Sequence, residues 1–386
     1  MTLPFISPLP DFQLRKTPLE HLPGYRKDDL KTAVQAWEHS CAYLLSLPSE
    51  TPFLFGTNAL EWQCVARLYL DFSRSRRQEP EDFREYLSRF FEAYELLSHS
   101  SDARLFTGYY EPELRGARSR KTGYTCPVYG RPLGLIVIED LGIFRQSLEG
   151  HRIAGFVKEG TLAPAPSRQQ IERGAFDSQN LEICWVQDAL DLYFMHIQGN
   201  GRILFEDGSW TRLRYDGTNG HAYHSLGAEM IAHGLIAPEE VSMQNIKDVL
   251  RSRCSPDFIS TLLSVNASYV FFKETGASEG PVGRIGQPLT PMRSLAVDPR
   301  TVSLGMPLWV SRFDSDSYSH SHSDSDSVLS GFMTAQDVGG AIKGLIRGDI
   351  FCGTGETAGA LAGRLKQEGR LFVFLPKKDM REKNLK

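Results

Sequence analysis

The feature that most constrains this chain is a change of apolar period near residue 100. Before it, apolar residues recur at helical spacing. From Lys27 to about Leu47 they fall at Leu30, Ala33, Trp37, Cys41, Leu44 and Leu45, and a second such stretch runs from about Asn58 to Phe72. A third, from about Pro80 to Leu97, carries Phe83, Tyr86, Leu87, Phe90, Phe91, Tyr94 and Leu97. These predict an N-terminal helical region behind a Pro-rich lead-in over residues 1–24. From Phe106 the apolar runs shorten and are broken by Gly, Pro and Asp, as in Pro132–Ile138 and Tyr193–Gln198, which predicts strands. Glu206-Asp-Gly208 and Tyr215-Asp-Gly217 predict hairpins. A helical interlude is expected from about Ala222 to Ser264, with Ser255-Pro-Asp257 able to cap a helix start. Strands are expected again at Ser294–Val297, Met306–Val310, Val328–Thr334 and Arg370–Phe374. The class read from this order is mainly β with N-terminal helices.

A chain of 386 residues has room for two domains, and 41% hydrophobic with 23% charged residues is ordinary globular composition. A net charge of -4 gives no basic field, which excludes nucleic acid as the expected partner. The six cysteines (Cys41, Cys64, Cys126, Cys184, Cys254 and Cys352) are scattered without a C-x-x-C, so neither a metal knot nor a disulfide pattern is read from them. No apolar stretch approaches the ~18 residues of a transmembrane helix. The opening MTLPFISPLPDF lacks the basic and apolar regions of a signal peptide, so location has to be inferred from substrate. Residues 314–327 are a Ser/Asp/His tract too polar to bury a core, and are expected to form a flexible hairpin tip.

Three segments could carry chemistry. In Phe106-Thr-Gly-Tyr-Tyr-Glu-Pro112, paired aromatics beside small residues fit either stacking on sugar rings or a packed turn with core tyrosines. In His196-Ile-Gln-Gly-Asn-Gly201 and Asp216-Gly-Thr-Asn-Gly-His221, amides beside glycines suit recognition of neutral polar groups. There, His196 is expected as a half-buried strand histidine. The third and densest segment runs from Gln336 to Gly355. Asp337 and Asp349 lie in it twelve residues apart with Lys343 between them. A carboxylate at a strand end against Ile350 and Phe351 would be partly desolvated and its pKa raised, as a general acid needs. Asp337 would be held ionised by Lys343 or by backbone N–H groups. A structural pair of turn-capping aspartates fits the same residues.

Six segments together resemble the membrane-bound lytic murein transglycosylase A (MltA) family: FTGYYEPEL (106–114), HIQGNG (196–201), LRYDGTNGHAYHSLG (213–227), NASYVFFKE (266–274), VDPRTVSLG (297–305) and QDVGGAIKG with RGDIFCGTG (336–355). The C-terminal part is similar to three-aspartate (3D) domains, with Asp298, Asp337 and Asp349 on the pattern. The resemblance implies a double-psi β-barrel domain (1–111 and 276–386), an inserted β-rich domain (112–275) and a substrate groove between them. It implies Asp349 as the catalytic acid/base, and Thr107, Tyr109, Gln198, Asp337, Lys343 and Asp298 on the substrate side. It also implies peptidoglycan glycan strands as partner, a monomer open to cell-wall synthesis or lysis complexes, an envelope location, and no cofactor or metal. The acidic insert belongs to none of these motifs.

The reaction so implied needs one carboxyl group. The muramic acid 6-hydroxyl attacks its own C1 and closes a 1,6-anhydro ring, so effective molarity replaces a second catalyst. Two other readings remain at this level. One is a glycoside hydrolase with Asp337 as second carboxylate; the other is a glycan-binding module without catalysis. A metal hydrolase is disfavoured by the absence of H-E-x-x-H.

Overall fold

A computed structural model describes residues 12–74, 79–98, 104–138, 140–276, 280–312, 330–340 and 342–378. The expected loop at 314–327 lies outside them. The described residues divide into two compact units, one formed by Tyr110–Pro281 with Thr354–Arg364, the other by the segments ending at Tyr109, Val282–Gly353 and those from Leu365. The helix Glu356–Arg364, expected with the barrel, therefore belongs to the first unit.

The second unit contains the three N-terminal helices, Lys31–Ser46, Ala59–Arg74 and Pro80–Phe90. The first buries Ala33, Ala36, Trp37, Ser40, Cys41 and Leu44, the face that the periodicity marks. Trp37 packs on Tyr86 and edge-on against Phe91. The third helix stops at Phe90 rather than Leu97, and Phe91–Ser98 is a strand. Its apolar residues satisfy helical spacing on paper. Pairing on both sides decides otherwise, with Phe12–Thr17 on one edge and Lys366–Pro376 on the other.

Six strands close into a barrel, in the order Lys366–Pro376, Pro307–Arg312, Gly331–Val338, Ser294–Val297, Arg347–Thr354, Leu105–Glu111 and back to Lys366–Pro376. Ser294–Val297 runs parallel to Gly331–Val338 and antiparallel to Arg347–Thr354. At the closing seam Lys366 pairs with Thr107. The ring of Phe106 lies there between two glycines. A Cβ on Gly348 would come within 3.0 Å of the ring and one on Gly369 within 2.8 Å, so both positions require the absence of a side chain. Gln336 is fully buried and donates to the Ala36 carbonyl and the Ser40 hydroxyl, which ties the first helix to the strand bearing Asp337.

The first unit is built on a six-stranded sheet, ordered Val270–Gly276, Trp210–Thr218, Asn200–Phe205, Glu113–Ala117, Glu182–Val186 and Cys126–Tyr129. Glu206-Asp-Gly208 makes the expected hairpin, but Tyr215-Asp-Gly217 does not. The latter lies within Trp210–Thr218, at a register shift against Val270–Gly276. Of Pro132–Ile138 only Ile136–Ile138 is a strand. Tyr193–Gln198, expected as a strand, lies in the helix Ala189–Gln198, which Asp188 caps by accepting from the Leu190 and Asp191 amides. That helix is covered on two sides. Leu190, Tyr193 and Phe194 pack among the helices Leu226–Ala232, Met243–Arg253 and Pro256–Val265, while Leu192 and Met195 pack on the sheet. An apolar run buried nearly all round carries no 3.6-residue signal. The helical interlude is present as three helices, and Ser255 caps the last of them.

Candidate functional site

Asp349 and Asp337 are brought to one level of the barrel by register. Both are Cα partners of Ala296, from the two strands that flank Ser294–Val297. The methyl of Ala296 is the smallest side chain that can stand between them. Ala296, Tyr109, Leu289 and Phe351 pack together as an apolar floor.

The Thr107 hydroxyl donates to Asp349 Oδ1 at 2.6 Å, and Arg347 Nη2 donates to the same hydroxyl at 2.9 Å. Arg347 Nη1 also donates to the Leu105 carbonyl at 3.1 Å. Burial raises the pKa of Asp349, and the Thr107 hydrogen bond and the Arg347 charge take back part of that rise. Burial likewise lowers the pKa of Arg347, against the pull of Asp349.

Asp337 is raised to about 6, first by burial and further by the charge of Asp349, despite three donors to its carboxylate. The donors are the Tyr109 hydroxyl to Oδ2 at 2.9 Å and the Val338 and Arg284 amides to Oδ1, each at 3.0 Å. The backbone N–H groups expected at Asp337 are these two amides, and a carboxyl at about 6 is still mostly ionised at neutral pH; only Lys343 is corrected as its holder. The amides are present but burial outweighs them, and Lys343 is exposed. Tyr109 is buried with its hydroxyl committed to Asp337, so its ring forms part of the floor and is not a free stacking surface. Tyr110 is buried in the other unit.

Asp298 is 1% exposed and fully engaged. Oδ1 accepts from the Arg300 amide and Nε, and Oδ2 from Arg300 Nη2 and the Gly344 amide. Burial alone would raise its pKa, but these partners hold it below the usual carboxylate value. Asp298 thus pins the turn that presents Lys343, and its carboxylate is closed to a ligand.

Gln198 lies in the first unit at the end of its helix, where its Oε1 accepts from the Tyr110 amide at 3.2 Å. His196 is buried in that helix, on the ring of Tyr269 and with Nδ1 3.1 Å from Arg168 Nη1. Burial, then Arg168, lowers its pKa far below the ordinary histidine value. Asn219 of the Asp-Gly-Thr-Asn-Gly segment is a structural pin. It donates to the Pro166 and Ala267 carbonyls and accepts from the Tyr269 amide. Sequence reasoning missed Arg347. The available signal was its spacing: two residues before Asp349 in a strand puts both side chains on one face. It also missed Glu111, which is wholly buried on Arg212 and Thr354.

A closed six-stranded barrel carrying two elevated carboxyl groups at one level, in a chain that leaves the barrel after Leu105–Glu111 to build a separate sheet, defines a class of 3D-domain protein with a large insertion. The sequence matches the MltA specific insert domain over residues 105–273 and the 3D domain over residues 293–375. The protein is similar to the "Membrane-bound lytic murein transglycosylase A" of Vibrio cholerae, 30% identical over 272 residues. That stretch covers 69% of this chain and 64% of the relative, so the match spans somewhat under two thirds of the relative's length. Among solved structures, a membrane-bound lytic murein transglycosylase from Agrobacterium tumefaciens superposes with a TM-score of 0.79 at 28% identity, over 96% of this chain and 99% of that one. The lytic transglycosylase LtgG of Burkholderia pseudomallei superposes with a TM-score of 0.60 at 31% identity, over 94% and 95% of the two chains. The chain belongs to the MltA family and contains its 3D domain. Among the described residues, no helix is long and apolar enough to cross a membrane.

Proposed function

We propose that this protein is a lytic transglycosylase of peptidoglycan that cuts the β-1,4 bond between N-acetylmuramic acid and N-acetylglucosamine and leaves a 1,6-anhydromuramic end. Asp349 is the single acid/base. Neutral Asp349 protonates the departing O4 of the glucosamine. The resulting carboxylate then takes the proton of the muramic 6-hydroxyl as that oxygen closes on C1. The observation that carries this reading is the Asp349 carboxyl itself, which is raised by burial and held at Oδ1 by Thr107. Among the described residues none hydrogen-bonds its Oδ2, which is left to work. The names of the relatives support the same activity.

In this reading the barrel is of the double-psi type and the inserted sheet forms a second domain. Glycan strands are the substrate, with Thr107, Gln198, Asp337 and Lys343 the residues that meet the sugar. Tyr109 and Asp298 serve from behind, Tyr109 by holding Asp337 and Asp298 by fixing the Lys343 turn. The enzyme is a monomer in the cell envelope that needs no cofactor and is open to wall-synthesis or lysis complexes.

Digestion of purified sacculi followed by mass spectrometry tests the proposal. The wild type should release anhydro-muropeptides, and Asp349→Asn should lose about 10²-fold or more of that activity while still binding sacculi. Products with only reducing ends would replace transglycosylation by hydrolysis, and undiminished turnover by Asp349→Asn would remove that residue from the role.

A further inference from the structure

We propose that Arg347 is a positioning residue that decides which oxygen of Asp349 carries the proton, acting through the Thr107 hydroxyl. This rests on the acid/base reading of Asp349. The argument is one of donor counting. A guanidinium only donates, and a threonine hydroxyl has one hydrogen to give. The 2.9 Å contact from Arg347 Nη2 to Thr107 Oγ1 therefore runs from nitrogen to oxygen. The one hydroxyl hydrogen is left for Asp349 Oδ1, 2.6 Å away. The hydroxyl oxygen keeps a second lone pair, but a guanidinium on the first makes that oxygen a poorer acceptor and its hydrogen a better donor, so the proton of the neutral acid is biased toward Oδ2.

Without Arg347 the Thr107 oxygen could equally accept from a protonated Oδ1. The acid would then be divided between two tautomers, one of them turned away from the reaction. The fork of Arg347 suits the task. Nη1 holds the Leu105 carbonyl while Nη2 holds Thr107, two residues on along the same strand. A lysine keeps the charge but not this planar grip.

The test combines two readouts on the full chain. Titration of the Asp349 carboxyl by 13C NMR reports the relay itself, and anhydro-muropeptide release against pH reports its use. Thr107→Ser keeps the hydroxyl and should keep the wild-type titration of Asp349. Thr107→Val and Arg347→Met should each lower kcat about tenfold, the worth of one such hydrogen bond, with KM unchanged in Arg347→Met. Each should also move the Asp349 titration to higher pH, because each removes something that favours the carboxylate. The double variant should be no slower than the slower single, since both act through one bond. Arg347→Lys, the milder change should the methionine variant misfold, should slow the reaction while shifting the titration less.

An Asp349 titration identical in wild type, Arg347→Met and Arg347→Lys would overturn the relay. So would additive rate losses or an effect confined to KM. A wild type that releases no anhydro product would overturn the transglycosylase reading instead, and the NMR titrations would still decide the relay.

Discussion

Asp337 and Asp349 face one alanine yet differ in what their titration does to the fold. Asp337 is raised to about 6 because burial outweighs its three donors. The folded state therefore binds a proton more tightly than the unfolded chain. Between about pH 4 and pH 6 the folded protein holds more protons, so stability falls as pH rises through that window and stays low above it. Two pKa units correspond to about 3 kcal/mol. Asp337→Asn keeps a carbonyl for the Val338 and Arg284 amides and an N–H for Tyr109. It should be more stable than wild type by up to that amount at pH 8, with the difference vanishing near pH 4, as chemical denaturation at both pH values will show. A variant less stable than wild type at pH 8 would mean that the donors, not burial, dominate. The composition of the motif made the two aspartates legible as a pair. It also assigned backbone donors to Asp337, but could not show that one of them comes from Arg284, 53 residues upstream in the chain.

At the scale of elements, the segment Asp216–His221 has a glycine whose role is mechanical. Gly220 has φ +76°, and a Cβ there would lie 2.2 Å from the Ala154 backbone nitrogen. Gly208, at the hairpin tip, has φ +80° with nothing within 4 Å. Gly208→Ala should cost about 1 kcal/mol of backbone strain. Gly220→Ala adds a clash with main chain that cannot swing aside and should cost about 3 kcal/mol or more, measured by thermal unfolding. Equal costs would show that the Ala154 strand yields easily. Amides beside glycines suggested ligand recognition here, but the amide of Asn219 is used up on the backbone. The same limit explains the two misassigned elements. Residues 91–98 and 193–198 are apolar because neighbours distant in sequence cover them, and local spacing cannot report which neighbours those are. Where one face is solvent, as in Lys31–Ser46 or at the Ser255 cap, the pattern in the chain and the observed element agree.

For the whole molecule, the ordered motifs placed the family, while the closure of the barrel had no local signature. Thr107 pairs with Lys366, and Phe106 is lodged between Gly348 and Gly369. The strand that presents the acid, the strand that steadies it and the strand that walls them in come from three distant parts of the chain. A chain ending before Lys366 should therefore bind sacculi weakly and release no anhydro product. Adding residues 366–378 back as a separate peptide should restore little. Full activity in the truncated chain would show that the seam is dispensable. On a ribosome the consequence is one of timing. The strand that encloses Thr107 follows both Thr107 and Asp349 in the chain, so the two are synthesised before the strand that closes the seam around them.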